Sequence, residues 1–561
     1  MGTTQPLERT GVTTDRDVAF PVLTDTDIAA LKTRGKTRDA KAGEILFEEG
    51  DRNISFFVVL AGAVQIIGRF HGAQETVVVH HAGQFTGDVD VLSGRAIVVT
   101  GRVVEDAQLL ELSPDDLRRA VNTLPELGET LVKAFLMRRT LLLGAGAEAV
   151  RIVGSRFSPD AHRLRDFASR NAIPVLWIDL DTDAEAEALL RQFNIPASAT
   201  PIVLGGDGEW FSNPSNADFA RCMGLESTFE SDHVYDLVVV GAGPAGLAAS
   251  VYAASEGLDV LTTDELAAGG QAGTSARIEN YLGFPAGISG ADLTRNAMLQ
   301  AQRFGARISV PSSVRSLGID GGDRVVTLTD GTRLRTRCVL VASGIQYRKL
   351  EVARLSEFEG AGIYYAATAM EAVPCRGEEV VVVGGGNSAG QAIVYLSDFA
   401  SRVHVVIRRE ELGHSMSRYL VDRIEKLPNV TIHRGAVIRE LQGNGRLSSV
   451  QIQVRSGEIQ TVATSSLFSF CGADPKTNWL DGCVDLDSRG FVLTGSGLSA
   501  GLAETDRWRS AGRGPFLLET SLPGVFAAGD VRSGSAKRVS SAVGEGAMAV
   551  SFVHAHIARP V

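Results

Sequence analysis

Apolar positions divide the 561-residue chain into stretches of different rhythm. From about 15 to 142, short apolar runs alternate with glycine turns: GEILFEEGD, SFFVVLAGAVQIIG, ETVVVHHAGQF, AIVVTGRVV and AQLLELS. Period-two alternation at regular spacing predicts an antiparallel β-roll or barrel, because successive strand side chains face opposite ways. The following PDDLRRAVNTLPELGETLVKAFLMRRTLL repeats its apolar residues at three and four, which predicts helix. From 147 to 225 the pattern predicts β-α-β-α-β-β-α. Its strands are AVRIVGS and PVLWIDLD, its helices PDAHRLRDFASRN and AEAEALLRQF, and a later strand opens at Pro201. Two more stretches, opening at 233 and 380, each run a buried apolar strand straight into a glycine cluster and a helix.

Those clusters carry the chemistry. The first strand, Tyr235 to Val240, meets Gly241-Ala242-Gly243-Pro244-Ala245-Gly246. Between strand and helix such a triplet is specific: one glycine makes the turn, one lets a pyrophosphate approach, one lets helix pack on strand. The helix N-terminus then offers unpaired N–H groups to phosphate. The next strand ends at Asp264-Glu265, where a carboxylate can accept from a ribose. The second cluster, Gly384-Gly385-Gly386-Asn387-Ser388-Ala389, follows Val380 to Val383. Its next strand ends in Arg408 and Arg409, with no acid. An arginine pair attracts a 2′-phosphate that a carboxylate would repel, so NADPH is expected over NADH.

Composition narrows the classes. Lys plus Arg is 55 and Asp plus Glu 66, a net charge of -11, which argues against a general nucleic-acid binder. The 61 glycines exceed the usual share of about 7%, as expected where backbone lies against phosphate. No apolar run reaches the roughly 18 residues of a membrane span. The polar N-terminus lacks a signal core, and five scattered cysteines (Cys222, Cys338, Cys375, Cys471, Cys483) form no disulfide framework or zinc site. A cytoplasmic protein is expected, with no metal. At roughly 150 residues per domain the length suggests about four domains.

From about 233 to 558 the chain resembles the two-domain, thioredoxin-reductase-like flavoproteins. The resemblance rests on both glycine clusters, Gly269-Gly270-Gln271, Glu279-Asn280-Tyr281, Gly283-Phe284-Pro285, Ala342-Ser343-Gly344, Gly472-Ala473-Asp474-Pro475 and Gly524 to Asp530. It implies an FAD domain in two segments, 233–345 and 474–558, with an NAD(P)H domain, 346–473, inserted between them. Carried over, Gly241, Gly243, Pro244, Ala245 and Gly246 would hold the FAD pyrophosphate, and Asp264 with Glu265 the ribose. Gly270, Gln271 and Asn280 would lie on the isoalloxazine side. Gly529 and Asp530 would reach the ribityl chain, and the helix from Arg538 and Val539 the flavin. Gly384, Gly386, Asn387 and Ser388, with Arg408 and Arg409, would hold NADPH. Homodimers are usual in the resembled family.

The family's Cys-Ala-Thr-Cys is absent: Ala366 and Ala369 flank Ala367-Thr368, and Cys375 stands alone nearby. Cys338 and Cys471 lie in apolar strand contexts and are expected to be buried and inert. Hydride from NADPH to FAD is therefore expected to continue to a non-dithiol acceptor: a protein, a quinone or a small molecule. A redox sensor without steady turnover, or a disulfide reductase using other thiols, are the alternatives.

Residues 15–142 resemble a cyclic-nucleotide-binding domain through KAGEILFEEGD and Phe85-Thr86-Gly87-Asp88. Ile97 stands at the position of that family's phosphate-pairing Arg, so the roll serves a cyclic nucleotide or, the favoured reading, packing or another ligand. Residues 147–225 resemble a thioredoxin or glutaredoxin fold, implying a cis Thr200–Pro201 bond. Ser155-Arg156-Phe157-Ser158 stands where the redox cysteines would be, which implies a redox-dead docking module. The fold class expected is thus multidomain: a β-roll, an α/β thioredoxin-like module and two Rossmann-like domains. The N-terminal roll is the candidate regulator.

Overall fold

The computed structural model of the protein describes residues 15–70, 73–144, 150–183, 186–205, 209–225, 229–230, 232–414, 416–480, 482–499, 501–502 and 505–558. The start of the second stretch at 147, and the opening of its second helix at 184–185, lie outside them. The chain divides into two compact units, one holding the N-terminal β-roll and the other the remaining modules.

In the first unit the strands order as Lys36–Ala40, Val99–Leu112, Phe56–Phe70 and Ala73–His80, with Ile45–Phe47 also against Val99–Leu112. AIVVTGRVV and AQLLELS, read as separate runs, fall largely within a single strand: Val99–Leu112 pairs along nearly its whole length with Phe56–Phe70. The register shifts between Val59 and Ala61, and again near Ala63, absorb the mismatch that broke the alternation. The helical stretch is likewise two helices, Pro114–Thr123 and Pro125–Gly144. Pro125 explains the break, since the residue before a proline is pushed out of helical geometry; Leu124 has φ -122 and ψ 85.

Residues 150–222, most of them in the second unit, form a sheet ordered Val175–Asp179, Val150–Gly154, Ile202–Gly205, Trp210–Ser212, with helices Pro159–Arg170, Ala186–Gln192 and Asn216–Cys222. The Thr200–Pro201 bond is cis. A larger sheet follows, ordered Arg307–Ser309, Val260–Thr263, Val234–Val240, Arg333–Val341, Asp323–Leu328, Val314–Asp320, with Val525–Ala527 also beside Arg333–Val341. Its first four strands and Val525–Ala527 are parallel, the geometry that brings strand ends and helix N-termini to one edge. The inserted domain has a parallel sheet ordered Ile363–Tyr364, Leu467–Ser469, Glu379–Val383, Arg402–Val406, Val430–His433. Two short antiparallel strands, Ile345–Tyr347 and Ala473–Pro475, carry the chain into this domain and back. The protein is thus multidomain, with a β-roll and two Rossmann-type domains. Among the described residues no helix is long and apolar enough to cross a membrane.

Candidate dinucleotide sites

The first glycine turn is built by close approach. Gly241 has φ +111, and a Cβ there would lie 2.3 Å from the Ala342 carbonyl oxygen. At Gly246 a Cβ would lie 1.8 Å from the Gly241 oxygen, so the helix Pro244–Ser255 can seat only on a bare backbone. Gly243 differs: its Cβ would meet nothing closer than Gly270 Cα at 3.8 Å. Two glycines therefore serve packing, and the middle one leaves open space. The second turn repeats the division. A Cβ on Gly384 would lie 2.7 Å from the Phe470 oxygen, whereas one on Gly386 meets nothing within 4 Å. Ala389, fully buried, takes the third position.

Helix capping points the same way. The helices Pro114–Thr123, Pro159–Arg170 and Gly290–Arg303 are each closed by a serine accepting from a backbone N–H. The helices Pro244–Ser255, Asn387–Ser397 and Val539–Ile557 have Gly243, Gly386 and Arg538 at the N-cap, with no side-chain cap bond. Their first N–H groups remain for a ligand, and phosphate is the ligand such ends favour. Residues and geometry therefore fit a dinucleotide pyrophosphate at each turn, as FAD and NAD(P)H both carry.

Asp264 lies just beyond its strand and its carboxylate accepts from Ala242 N at 2.9 Å, Leu266 N at 3.1 Å and Ala267 N at 3.3 Å. Burial pushes its pKa up, against the pull of those amides. It knits the turn as well as facing it. With Gly241, Glu265, Ser343, Lys476 and Trp479 it lines a pocket of ≈ 80 Å³. Glu265 is ion-paired with Lys476. Gln271 leads the short turn Ala272–Thr274 next to Gly270. Asn280 and Arg538 are exposed. Arg408 and Arg409 are exposed beyond Arg402–Val406. Asn387 Oδ1 accepts from Ser417 N at 2.7 Å, and Ser388 is hydrogen-bonded to Tyr347 of the incoming crossing strand.

Sequence reasoning missed Glu545. Its carboxylate accepts from Gly529 N at 2.7 Å and from Arg532, fixing the turn that carries Asp530. Burial opposes the Glu545 charge, but these bonds outweigh it and hold its pKa low. Gly546 beside it would place a Cβ 2.0 Å from the Ala245 oxygen, so this helix lies directly on the first glycine helix. The signal was present as a Glu-Gly pair inside an otherwise small-residue helix. Burial raises the pKa of Asp530 also.

The thiols form no pair. Thr368 caps the short helix Ala369–Ala372, with Ala366 half-buried and Ala369 exposed at the positions expected of cysteines. Cys375 is buried and donates to the Glu371 oxygen; burial pushes it up to about 11, and Cys338 up to about 12. Cys471 is only partly buried, because it lies at the domain crossing rather than inside the strand Leu467–Ser469. Burial raises its pKa too. All five are free.

The Ser155–Ser158 turn packs on the inserted domain. Arg446 lies over the Phe157 ring at 4.8 Å, the rings of His162 and Tyr364 are 5.3 Å apart, and His162 Nε2 is 3.8 Å from Glu371. Asn171 Nδ2 donates to the Leu266 oxygen at 3.1 Å, touching the FAD-side domain as well.

Two glycine turns on two parallel sheets, with a double chain crossing between them, define a two-dinucleotide flavoprotein. A family model, "Pyridine nucleotide-disulphide oxidoreductase", matches residues 235–546, and the chain belongs to that family. A second, "Cyclic nucleotide-binding domain", matches residues 37–123. The chain is 34% identical over 325 residues to a thioredoxin reductase of Treponema pallidum, covering 58% of this chain and 97% of that one. It is 32% identical over 324 residues to NADPH-dependent thioredoxin reductase 3 of Arabidopsis thaliana, covering 56% and 57%. Solved thioredoxin reductases from T. acidophilum (30% identity) and Lactococcus lactis (27%) both superpose with TM-score 0.51 over 58% of this chain and 99% of theirs. The protein is an FAD-dependent NAD(P)H oxidoreductase of thioredoxin-reductase-like architecture.

Proposed function

We propose that the protein is an NADPH-preferring oxidoreductase whose electrons leave the flavin for an acceptor other than an internal dithiol. When bound, FAD accepts a hydride from the reduced nicotinamide and delivers electrons onward. The chain's role is to hold the two dinucleotides: Gly243 and Gly386 leave room for the pyrophosphates, and the uncapped helix ends supply N–H groups. Arg408 and Arg409 stand exposed in position to meet a 2′-phosphate. Asp264 with Glu265, Gly270, Gln271, Asn280, Asp530 and Val539 line the flavin's course in this reading. Ile345–Tyr347 and Ala473–Pro475 are the hinge on which the inserted domain turns.

The observation that carries the proposal is the thiol arrangement. Alanines stand at both redox positions, and burial keeps Cys375 and Cys338 protonated at neutral pH, whereas disulfide exchange needs a thiolate. NADPH oxidation measured with thioredoxin, a quinone and dioxygen in separate assays tests it. Turnover is expected with at least one non-disulfide acceptor; turnover with thioredoxin alone would refute the proposal.

A second reading, a sensor without steady turnover, is favoured by one observation. The 151–221 module touches the FAD side through Asn171 and the inserted domain through Phe157 and His162. Such a bridge restrains rotation about the hinge. In this reading the module is a redox-dead thioredoxin-like dock, and the N-terminal roll is a regulator. A cytoplasmic homodimer belongs to the proposal, and light scattering tests the dimer.

A further inference from the structure

A second cavity belongs to the β-roll. It is a space of ≈ 460 Å³ inside the β-roll, within the range of small-molecule sites. Phe47, Ile54, Ile66, Phe70, Val91 and Ile97 form its apolar wall. Three polar side chains of the lining are buried, His80 at 1% exposure, Arg138 at 5% and Asp88 at 7%. Arg138 Nη2 and His80 Nδ1 have no hydrogen-bond partner among the described residues. Native proteins leave few buried polar atoms in that condition, and each calls for an explanation such as a ligand.

Arg138 is held rigidly. Its Nε donates to the Ala19 oxygen and its Nη1 to the Gly87 oxygen, both at 2.7 Å. Its guanidinium lies 4.5 Å from the Phe85 ring centroid and 5.2 Å from that of Phe20. The Nη2 group is left over as the spare donor. Burial lowers its pKa to about 9, so it stays cationic at neutral pH, while burial drives His80 well down and keeps it neutral.

A cyclic nucleotide fits these walls poorly. Ile97, at the position the resemblance gives to a phosphate-pairing Arg, presents a hydrocarbon. The Asp88 carboxylate, which could meet sugar hydroxyls, is taken: it caps Asp90 N at 2.9 Å and pairs with Arg139 at 3.0 Å. Asp90 pairs with Arg139 as well. Arg138, Arg139, Asp88 and Asp90 together carry no net charge, so a carboxylate and a neutral oxygen can each be received at the spare donor.

We propose that this cavity binds a small, largely apolar molecule bearing one hydrogen-bond-accepting oxygen, held by Arg138, in place of a cyclic nucleotide. Calorimetric titration of the full-length, FAD-loaded protein with 2-naphthoate, 2-naphthol, 2-methylnaphthalene and cyclic AMP tests it. At least one oxygen-bearing probe is expected to bind at about 1–100 μM. It should bind at least about tenfold tighter than 2-methylnaphthalene, and Arg138→Met should erase that difference. Because Arg138 also ties down Ala19 and Gly87, Ile97→Trp provides a second arm: it fills the cavity, keeps Arg138, and should abolish binding of every naphthalene probe. Naphthoate and naphthol separate the anionic from the neutral head, and either one supports the proposal. It is overturned if neither binds, if both bind no better than 2-methylnaphthalene, if Ile97→Trp leaves binding intact, or if cyclic AMP binds the native protein.

Discussion

The two glycine turns share a backbone plan and differ in what surrounds them. Around the first, Gly243 is open but the rest is close: Gly241 on Ala342, Gly246 on Gly241, Gly546 on Ala245, and Asp264 drawing three amides to itself. Around the second, Gly384 is likewise close to Phe470 and Gly386 is as open as Gly243, but Arg408 and Arg409 stand exposed and Asn387 ties the turn to its neighbour. In the proposed function the first keeps its dinucleotide and the second exchanges one. A tightly held flavin and a passing nicotinamide need this asymmetry.

The contrast can be broken most severely at Gly246. Gly246→Val places carbon where the Gly241 oxygen already lies, so the purified variant should carry less than about a tenth of the native flavin-to-protein ratio. Gly386→Ala has no such clash, and it should keep full flavin while raising the KM for NADPH. Next in size is specificity. The double change Arg408→Ala, Arg409→Ala should raise the KM for NADPH about ten- to hundredfold and leave that for NADH nearly unchanged, as steady-state kinetics with both will show.

Glu545 gives a smaller effect. Glu545→Gln keeps an acceptor for Gly529 N but loses the Arg532 pair, and should weaken FAD binding by about tenfold in an equilibrium titration. The Glu545 pKa is depressed, so its stabilisation is present above the ordinary value of 4.5 and is lost as pH falls through the folded value. Native flavin retention should therefore drop below that pH, and this drop should be blunted in the Gln variant. The smallest change is expected at the thiols: Cys375→Ser and Cys471→Ser should leave kcat within about twofold, since neither sulfur is on the electron route.

The glycine turns were legible in the sequence because their function demands bare backbone at fixed spacing between strand and helix. The place of Asp264 at the end of its strand was legible too. Glu545 was harder to see, since its partners, Gly529 and Arg532, come from the turn before its helix, and the Glu-Gly pair is its one mark in the helix pattern. The β-roll strands were found, but their joining into Val99–Leu112 depends on register shifts with a partner strand. The spare donor of Arg138 was hidden altogether, because a basic residue in a helix looks the same whether it faces water or a cavity.

The central claim is a flavin reduced by NADPH with no sulfur relay behind it, and an anaerobic NADPH titration of the purified protein tests it most directly. The account predicts full bleaching of the flavin band after about one equivalent of NADPH per FAD. Consumption of a second equivalent would reveal a working disulfide, and a flavin that does not bleach would deny the hydride route; either result contradicts the account.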